Sequence, residues 1–298
     1  MSKQTCKIHN DNVTWTITRK NIQPILLGTD TKKGLLFLNV ESAGEITFDD
    51  TSCKLDINQT KICNKESNNI KYKNGNKDSV DTPLAVVNFH THPLSCYIAA
   101  KTIWGWPSGQ DLYQCINFAI KNSLTHIIFS IEGTYIININ QTLINNPLFK
   151  KDKVLHKNVE EIFSMTHKHR MYYNGKASVT LEKEFNEIFL KPVGLSSKSN
   201  ILYSWLSLVN NLTVQNLIIL SNKFAKYFNE IKAINMSKFK TIANDLILRV
   251  DFFQNETIQF NKTLSKEDIF KKLNCNLRVK LPSKIVYKSN FISKECKL

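Results

Sequence analysis

Leu84-Ala85-Val86-Val87-Asn88-Phe89-His90-Thr91-His92-Pro93, followed further on by Trp106-Pro107-Ser108-Gly109-Gln110-Asp111, is the stretch on which the fold of this chain turns. Residues 84–89 are apolar and β-branched enough to read as a buried strand. Side chains two apart on a strand share a face, so His90 and His92 should project together from its C-terminal end. Pro93 offers no backbone donor and stops the ladder. Ser108 stands where a helix N-cap belongs, ahead of the periodic apolar positions Leu112, Cys115, Ile116, Phe118, Ala119 and Ile120. Asp111 falls in the first turn of that helix, where the positive end of the helix dipole favours a carboxylate.

Two imidazole nitrogens and one carboxylate oxygen leave the fourth position of a tetrahedral zinc open to water. That is the donor set of a hydrolytic site rather than a structural one. Zinc in such a site brings the pKa of bound water towards neutrality and polarises a carbonyl. Each fragment alone has a plainer reading. An H-x-H is most often a pair of ordinary strand histidines, and S-x-x-D is a capping-box variant whose acid satisfies backbone donors. The order strand, H-x-H-P, loop, S-x-x-D, helix, then two further strands favours the metal reading, because context is what confirms a motif.

In that order the elements resemble the JAMM/MPN (JAB) zinc metalloprotease family. Its signature is an upstream Glu, then H-x-H-P, then S-x-x-D on a compact α/β domain, and the resemblance covers roughly residues 13 to 140. It implies an MPN-like mixed sheet with flanking helices, zinc as cofactor, His90, His92 and Asp111 as its ligands, and Ser108 as a stabiliser of the oxyanion. It further implies a metallopeptidase that removes ubiquitin or ubiquitin-like proteins from conjugates. Inactive members of the family keep the fold and serve as scaffolds in large assemblies. The Trp106-Pro107-Ser108 form and the Asn- and Lys-rich composition are similar to versions encoded by large DNA viruses.

Two features depart from the family pattern. The segment from residue 93 to 107 is longer than usual and largely apolar, with Tyr97, Ile98, Ile103 and Trp104. Those side chains would wall the cleft and grip an extended substrate tail, or else plug the local core. The upstream Glu has two registers. Aligning Thr31-Lys32-Lys33-Gly34 with the hydrophobic run that follows puts Thr31 in the general-base position, with Asp30 one residue away. Aligning Glu41-Ser42-Ala43-Gly44 restores E-x-x-G but disturbs the expected strand. The general base stays open between Glu41 and Asp30.

The chain has 298 residues, 42% of them hydrophobic, which suffices for a real core and suggests two domains. We place an MPN-like metal-binding domain at residues 1–150 and a mainly helical domain with a basic tail at 151–298. A net charge of +15 favours anionic partners, nucleic acid among them, although dispersed lysines also follow from an AT-rich genome. The seven cysteines form no C-x-x-C pair, and no signal peptide opens the sequence, so they read as reduced thiols in a cytoplasmic setting, host cell or virion if viral. The most apolar stretch, residues 201–220, is interrupted by Ser204, Ser207, Asn210, Asn211 and Gln215, which argues for packed helices and against a membrane span.

Strands are expected at residues 14–18, 34–40, 45–55, 126–131 and 134–139, with helices at 21–27 and 109–121. Residues 57–82 are polar and read as a loop around the turn signal Asn74-Gly75. Helices are expected at 159–173, 181–190, 200–209, 214–231 and 236–249, and the tail from residue 273 leans towards β structure. His167 and His169 form a second H-x-H, but in a helical stretch where residues two apart diverge. The C-terminal half carries no catalytic constellation and is expected to dock a partner assembly or to complete the fold. Three functions remain: a zinc isopeptidase, a non-catalytic MPN-like scaffold or virion protein, and a nucleic-acid binder supported by charge alone.

Overall fold

A computed structural model describes residues 6–55, 61–76, 79–99, 105–173, 187–188, 191, 201–256 and 279–296. The fold is mixed α/β. Its centre is an eight-stranded sheet of β1 (Cys6–Thr18), β4 (Ser42–Leu55), β5 (Lys61–Asn74), β6 (Val87–His92), β7 (Thr125–Ser130), β8 (Gly133–Ile139), β9 (Leu248–Gln254) and β10 (Lys284–Cys296). Their order across the sheet is β10-β1-β5-β4-β6-β7-β8-β9. β2 (Gly28–Thr29) and β3 (Lys32–Lys33) form a separate two-stranded sheet. The helices are α1 (Arg19–Leu26), α2 (Leu94–Ala99), α3 (Gly109–Ile120), α4 (Gln141–Asn145), α5 (Pro147–Lys150), α6 (Lys153–Tyr173), α7 (Ile201–Asn210) and α8 (Val214–Phe224).

β6 is the pivot of the sheet. It pairs antiparallel with β4 on one side and parallel with β7 on the other. Parallel neighbours need a crossover, and here the crossover carries α2 and α3. Buried on both faces, β7 reads as the run Ile127, Ile128, Phe129. Alternation then divides the core in two. Ile127, Phe129 and Ile136 join α1 and Tyr287 on one face; Ile128, Tyr135 and Ile137 join α3, α6, α7 and α8 on the other. Two strands from beyond residue 150 belong to this sheet, β9 beside β8 and β10 beside β1.

Several sequence expectations change. Residues 61–74, read as loop, form β5, a 14-residue partner of β4 whose polar composition suits its exposure. Residues 35–37 form a 3-10 turn rather than a strand. Residues 236–242 are also 3-10, and β9 begins at Leu248 where a helix was expected, because that segment completes the sheet edge. The helix expected at 181–190 lies almost wholly outside the described residues, as do Ile103 and Trp104. Cys53 and Cys63, read as reduced thiols, pair across the β4–β5 hairpin as a disulfide with Cα atoms 4.2 Å apart. Cysteine usage therefore does not argue for a reducing compartment. Among the described residues, no helix is long and apolar enough to cross a membrane.

The helical layer bears directly on the loop before α3. Trp106, in that loop, stacks on Trp205 of α7 with ring centroids 5.5 Å apart, and Phe163 of α6 meets Trp205 edge-on at 6.2 Å. Trp205→Ala is expected to cost about 3–5 kcal/mol, the usual range for truncating a buried tryptophan. A shifted urea midpoint would report the loss; an unchanged midpoint would show that α7 does not support this loop.

Candidate metal centre

β6 ends in His90-Thr91-His92, and its register carries both histidines to the α3 face. In parallel pairing Asn88 lies beside His126 and His90 beside Ile128, and Ile128 belongs to the α3-side core. Pro93 then closes the strand, and the chain turns into α2. α3 starts at Ser108, an N-cap with extended backbone at φ −75° and ψ 168°. Its capping box is complete: Ser108 Oγ accepts from Asp111 N at 3.1 Å, and Ser108 N donates to Asp111 Oδ2 at 2.6 Å. Gly109 is required here, because a Cβ would collide with the backbone of Glu160 and Ser164 in α6.

The three candidate ligands converge. His90 Nε2 lies 3.0 Å from His92 Nε2, His90 Nε2 lies 3.4 Å from Asp111 Oδ1, and His92 Nε2 lies 3.6 Å from Asp111 Oδ2. One ligand atom from each of the three residues lies within 4.8 Å of the others, the donor group of a metal site. Ligands about 2.0–2.1 Å from a tetrahedral zinc stand roughly 3.3 Å apart, and the observed separations bracket that spacing. His92 Nδ1 is 2.8 Å from Gly105 O, a group that can only accept. The proton therefore sits on Nδ1 and the lone pair on Nε2, which faces the other two residues.

Electrostatics agree with this donor set. Burial pushes His90 down to about 4, against the opposing pull of the Asp111 carboxylate. For Asp111, burial alone would raise the pKa, but His90, His92 and the bonds from Ser108 outweigh it and hold the carboxyl below its ordinary value. Near neutral pH His90 is thus a neutral imidazole facing the Asp111 carboxylate, a donor pair that fits a divalent cation. S-x-x-D forms a capping box here and leaves Asp111 facing both histidines, so the two readings do not compete.

The other candidate residues divide. β4 pairs Ala43 with His90, and carrying that register on by two residues sets Glu41 level with His92. Cys96 Sγ of α2 donates to Glu41 Oε1 at 3.7 Å, which ties this carboxylate to the helix that follows the histidines. β4 begins at Ser42, so Glu41-Ser42-Ala43-Gly44 does lead into a strand. Asp30 instead sits exposed at the turn between β2 and β3. Ser108 is joined to Asp111 by the capping box, and its carbonyl accepts the first helical bond, from Leu112 N at 3.2 Å.

Sequence reasoning missed Glu132, which it treated as a turn residue. Glu132 is fully buried and accepts from Gly105 N at 2.7 Å, from Tyr135 OH at 2.6 Å and from Tyr97 OH. It fixes Gly105, whose carbonyl orients His92. Tyr97 of the extended segment therefore serves the local core, and the hydroxyl's pKa is raised well above its ordinary value by burial and by Glu132. Gly105 is held to glycine because a Cβ would strike the Tyr97 hydroxyl. A tyrosine followed by an acid in a β-turn carries no spacing that would have revealed this.

No family model matches the chain, and no curated protein matches it. Among solved structures, the STIL N-terminal domain of Trichoplax adhaerens is similar at 14% identity over 46% of this chain and 46% of that one. Its TM-score of 0.18 carries no argument about fold.

His90 and His126 are both buried with pKa values depressed below that of an unfolded histidine, about 6.5. As pH falls from about 6.5 towards about 4, the unfolded chain takes up protons that the folded, metal-free protein refuses, so folded stability declines across that window. The urea midpoint of metal-free protein should fall steadily between pH 7 and 4; a flat midpoint would contradict burial of neutral imidazoles.

Proposed function

We propose that the protein is a zinc-dependent hydrolase of the JAMM/MPN type that cleaves isopeptide bonds in ubiquitin or ubiquitin-like conjugates. The convergence of His90 Nε2, His92 Nε2 and the Asp111 carboxylate at the start of α3 carries this reading. The MPN-like character of the sheet, the substrate class and a cytoplasmic or virion setting are parts of the proposal and rest on the motif.

His90, His92 and Asp111 would hold the ion. When bound, zinc supplies an acidified water and a Lewis acid for the scissile carbonyl. Ser108 Oγ already accepts from Asp111 N, so its hydroxyl hydrogen is left to donate towards the developing oxyanion. Glu41, which reaches this end of β6 by extension of the β4 register, would be the general base that takes the proton from the attacking water and returns it to the leaving amine. The lysine amine of an isopeptide is a poor leaving group until protonated, so one carboxylate serving both steps meets the chemical demand.

The zinc-loaded protein is expected to cleave an isopeptide-linked ubiquitin dimer, and His92→Ala to abolish cleavage together with metal binding. Glu41→Gln should retain metal while losing about 10²–10⁴ in turnover, the usual contribution of a general base. Equal turnover in wild type and His92→Ala would refute the assignment. Stoichiometric zinc without cleavage of any such conjugate would instead support the scaffold reading.

A further inference from the structure

One ligand histidine is held by a device that the motif does not contain. His90 Nδ1 lies 2.7 Å from His126 Nε2, His126 Nδ1 lies 2.6 Å from Asn88 Oδ1, and Asn88 Nδ2 donates to Pro83 O at 2.9 Å. All three side chains are buried. The parallel β6–β7 register creates the row, since it pairs Asn88 with His126 and sets His90 one step along the same face. The His90 and His126 rings lie nearly end to end along this bond, with centroids 4.9 Å apart and planes inclined by 28°.

The direction of every bond follows from one end. Pro83 O is a carbonyl and can only accept, so the amide nitrogen of Asn88 must face it and the amide oxygen must face His126. His126 therefore carries its proton on Nδ1 and presents a lone pair at Nε2. His90 must then donate from Nδ1, which leaves the lone pair of His90 on Nε2, the atom that faces His92 and Asp111. Within the row from Pro83 to His90, no other tautomer gives each link one donor and one acceptor while both imidazoles are neutral.

We propose that His126 is a positioning residue for the metal centre: backed by Asn88, it locks His90 in the Nδ1–H tautomer and so aims its Nε2 lone pair at the ion. This rests on the reading of His90, His92 and Asp111 as a metal centre. Ligating imidazoles are usually braced by a carboxylate or a carbonyl. Here the brace is a neutral imidazole ending on an amide, so it fixes the ring without adding negative charge behind the ligand. His92 reaches the same tautomer by a separate route, through Gly105 O.

The test compares wild type, His126→Leu, which removes the acceptor, and His126→Gln, whose side-chain amide oxygen can accept at the position of Nε2. In metal-free protein, nitrogen NMR of the imidazoles should show His90 as Nδ1–H, whereas free histidine in water favours Nε2–H. Cobalt(II), titrated against a competing chelator and followed by its visible d–d bands, gives affinity and ligand geometry. His126→Leu is expected to lose about 10–100-fold in cobalt affinity and to release the His90 tautomer, and His126→Gln to recover most of both. A folded His126→Leu with wild-type affinity and bands would overturn the positioning role alone. Should that variant fail to fold, His90 found as Nε2–H in wild type would overturn it equally. Wild type that binds no cobalt and no zinc would bring down the metal-centre reading, and this role with it.

Discussion

The register between β6 and β7 is the constraint on which the candidate centre depends. Parallel pairing of Asn88 with His126 and of His90 with Ile128 puts Asn88, His90 and His92 on the α3 face and Val87 and Phe89 on the α1 face. A slip of one residue would exchange those sets, drive two imidazoles into the place of Phe89, and expose that ring to the cleft. Phe89 and Phe129, packed edge to face with centroids 5.4 Å apart, resist such a slip from the opposite side of the sheet. Hydrophobic packing on one face thus fixes the chemistry on the other.

A second element must meet that strand tip at the right height, and the meeting is arranged by helix-start physics. The capping box sets where α3 begins and turns the Asp111 carboxylate back towards the chain that precedes it. Gly109 lets α3 approach α6 closely, and the Trp106–Trp205 stack presses the loop before it against α7. The helical layer beyond residue 150 is therefore in direct contact with the loop that delivers Ser108 and Asp111. None of the residues that are catalytic in the proposal lies in this layer, yet its packing bears on their positions.

The centre was legible where periodicity and motif coincided. Alternation on β6 predicted that His90 and His92 share a face, the N-cap signal at Ser108 put Asp111 in the first turn of α3, and only their order suggested convergence; the structure brings the three together. β5 was not legible, because its asparagines and lysines answer to exposure on a hairpin rather than to a core. The Glu41 register was ambiguous because the hydrophobic run after Gly34 reads as a strand, whereas Leu35–Phe37 form a largely buried 3-10 turn and the strand opens instead on the small residues Ser42-Ala43-Gly44. His126 and Asn88 were invisible as a pair, since a polar residue inside each of two buried strands means nothing until the strands are placed side by side. Glu132 was hidden by its place in a two-residue turn, where an acid is ordinarily solvated.

The distribution of charge explains why a cation would settle among the histidines rather than at the nearby buried acid. Glu132 has both oxygens engaged, Oε1 by Tyr135 and the Gly105 amide and Oε2 by Tyr97, so three donors already surround it. The imidazole cluster is the reverse case. Both histidines are braced from behind by groups that force their lone pairs forward, and the one carboxylate among them spends a single oxygen on the capping box. The two Nε2 atoms stand 3.0 Å apart, close to the spacing of two ligands on one tetrahedral ion. A divalent ion there would be opposed by one formal negative charge, and the residual positive charge is what an attacking water and a developing oxyanion both require.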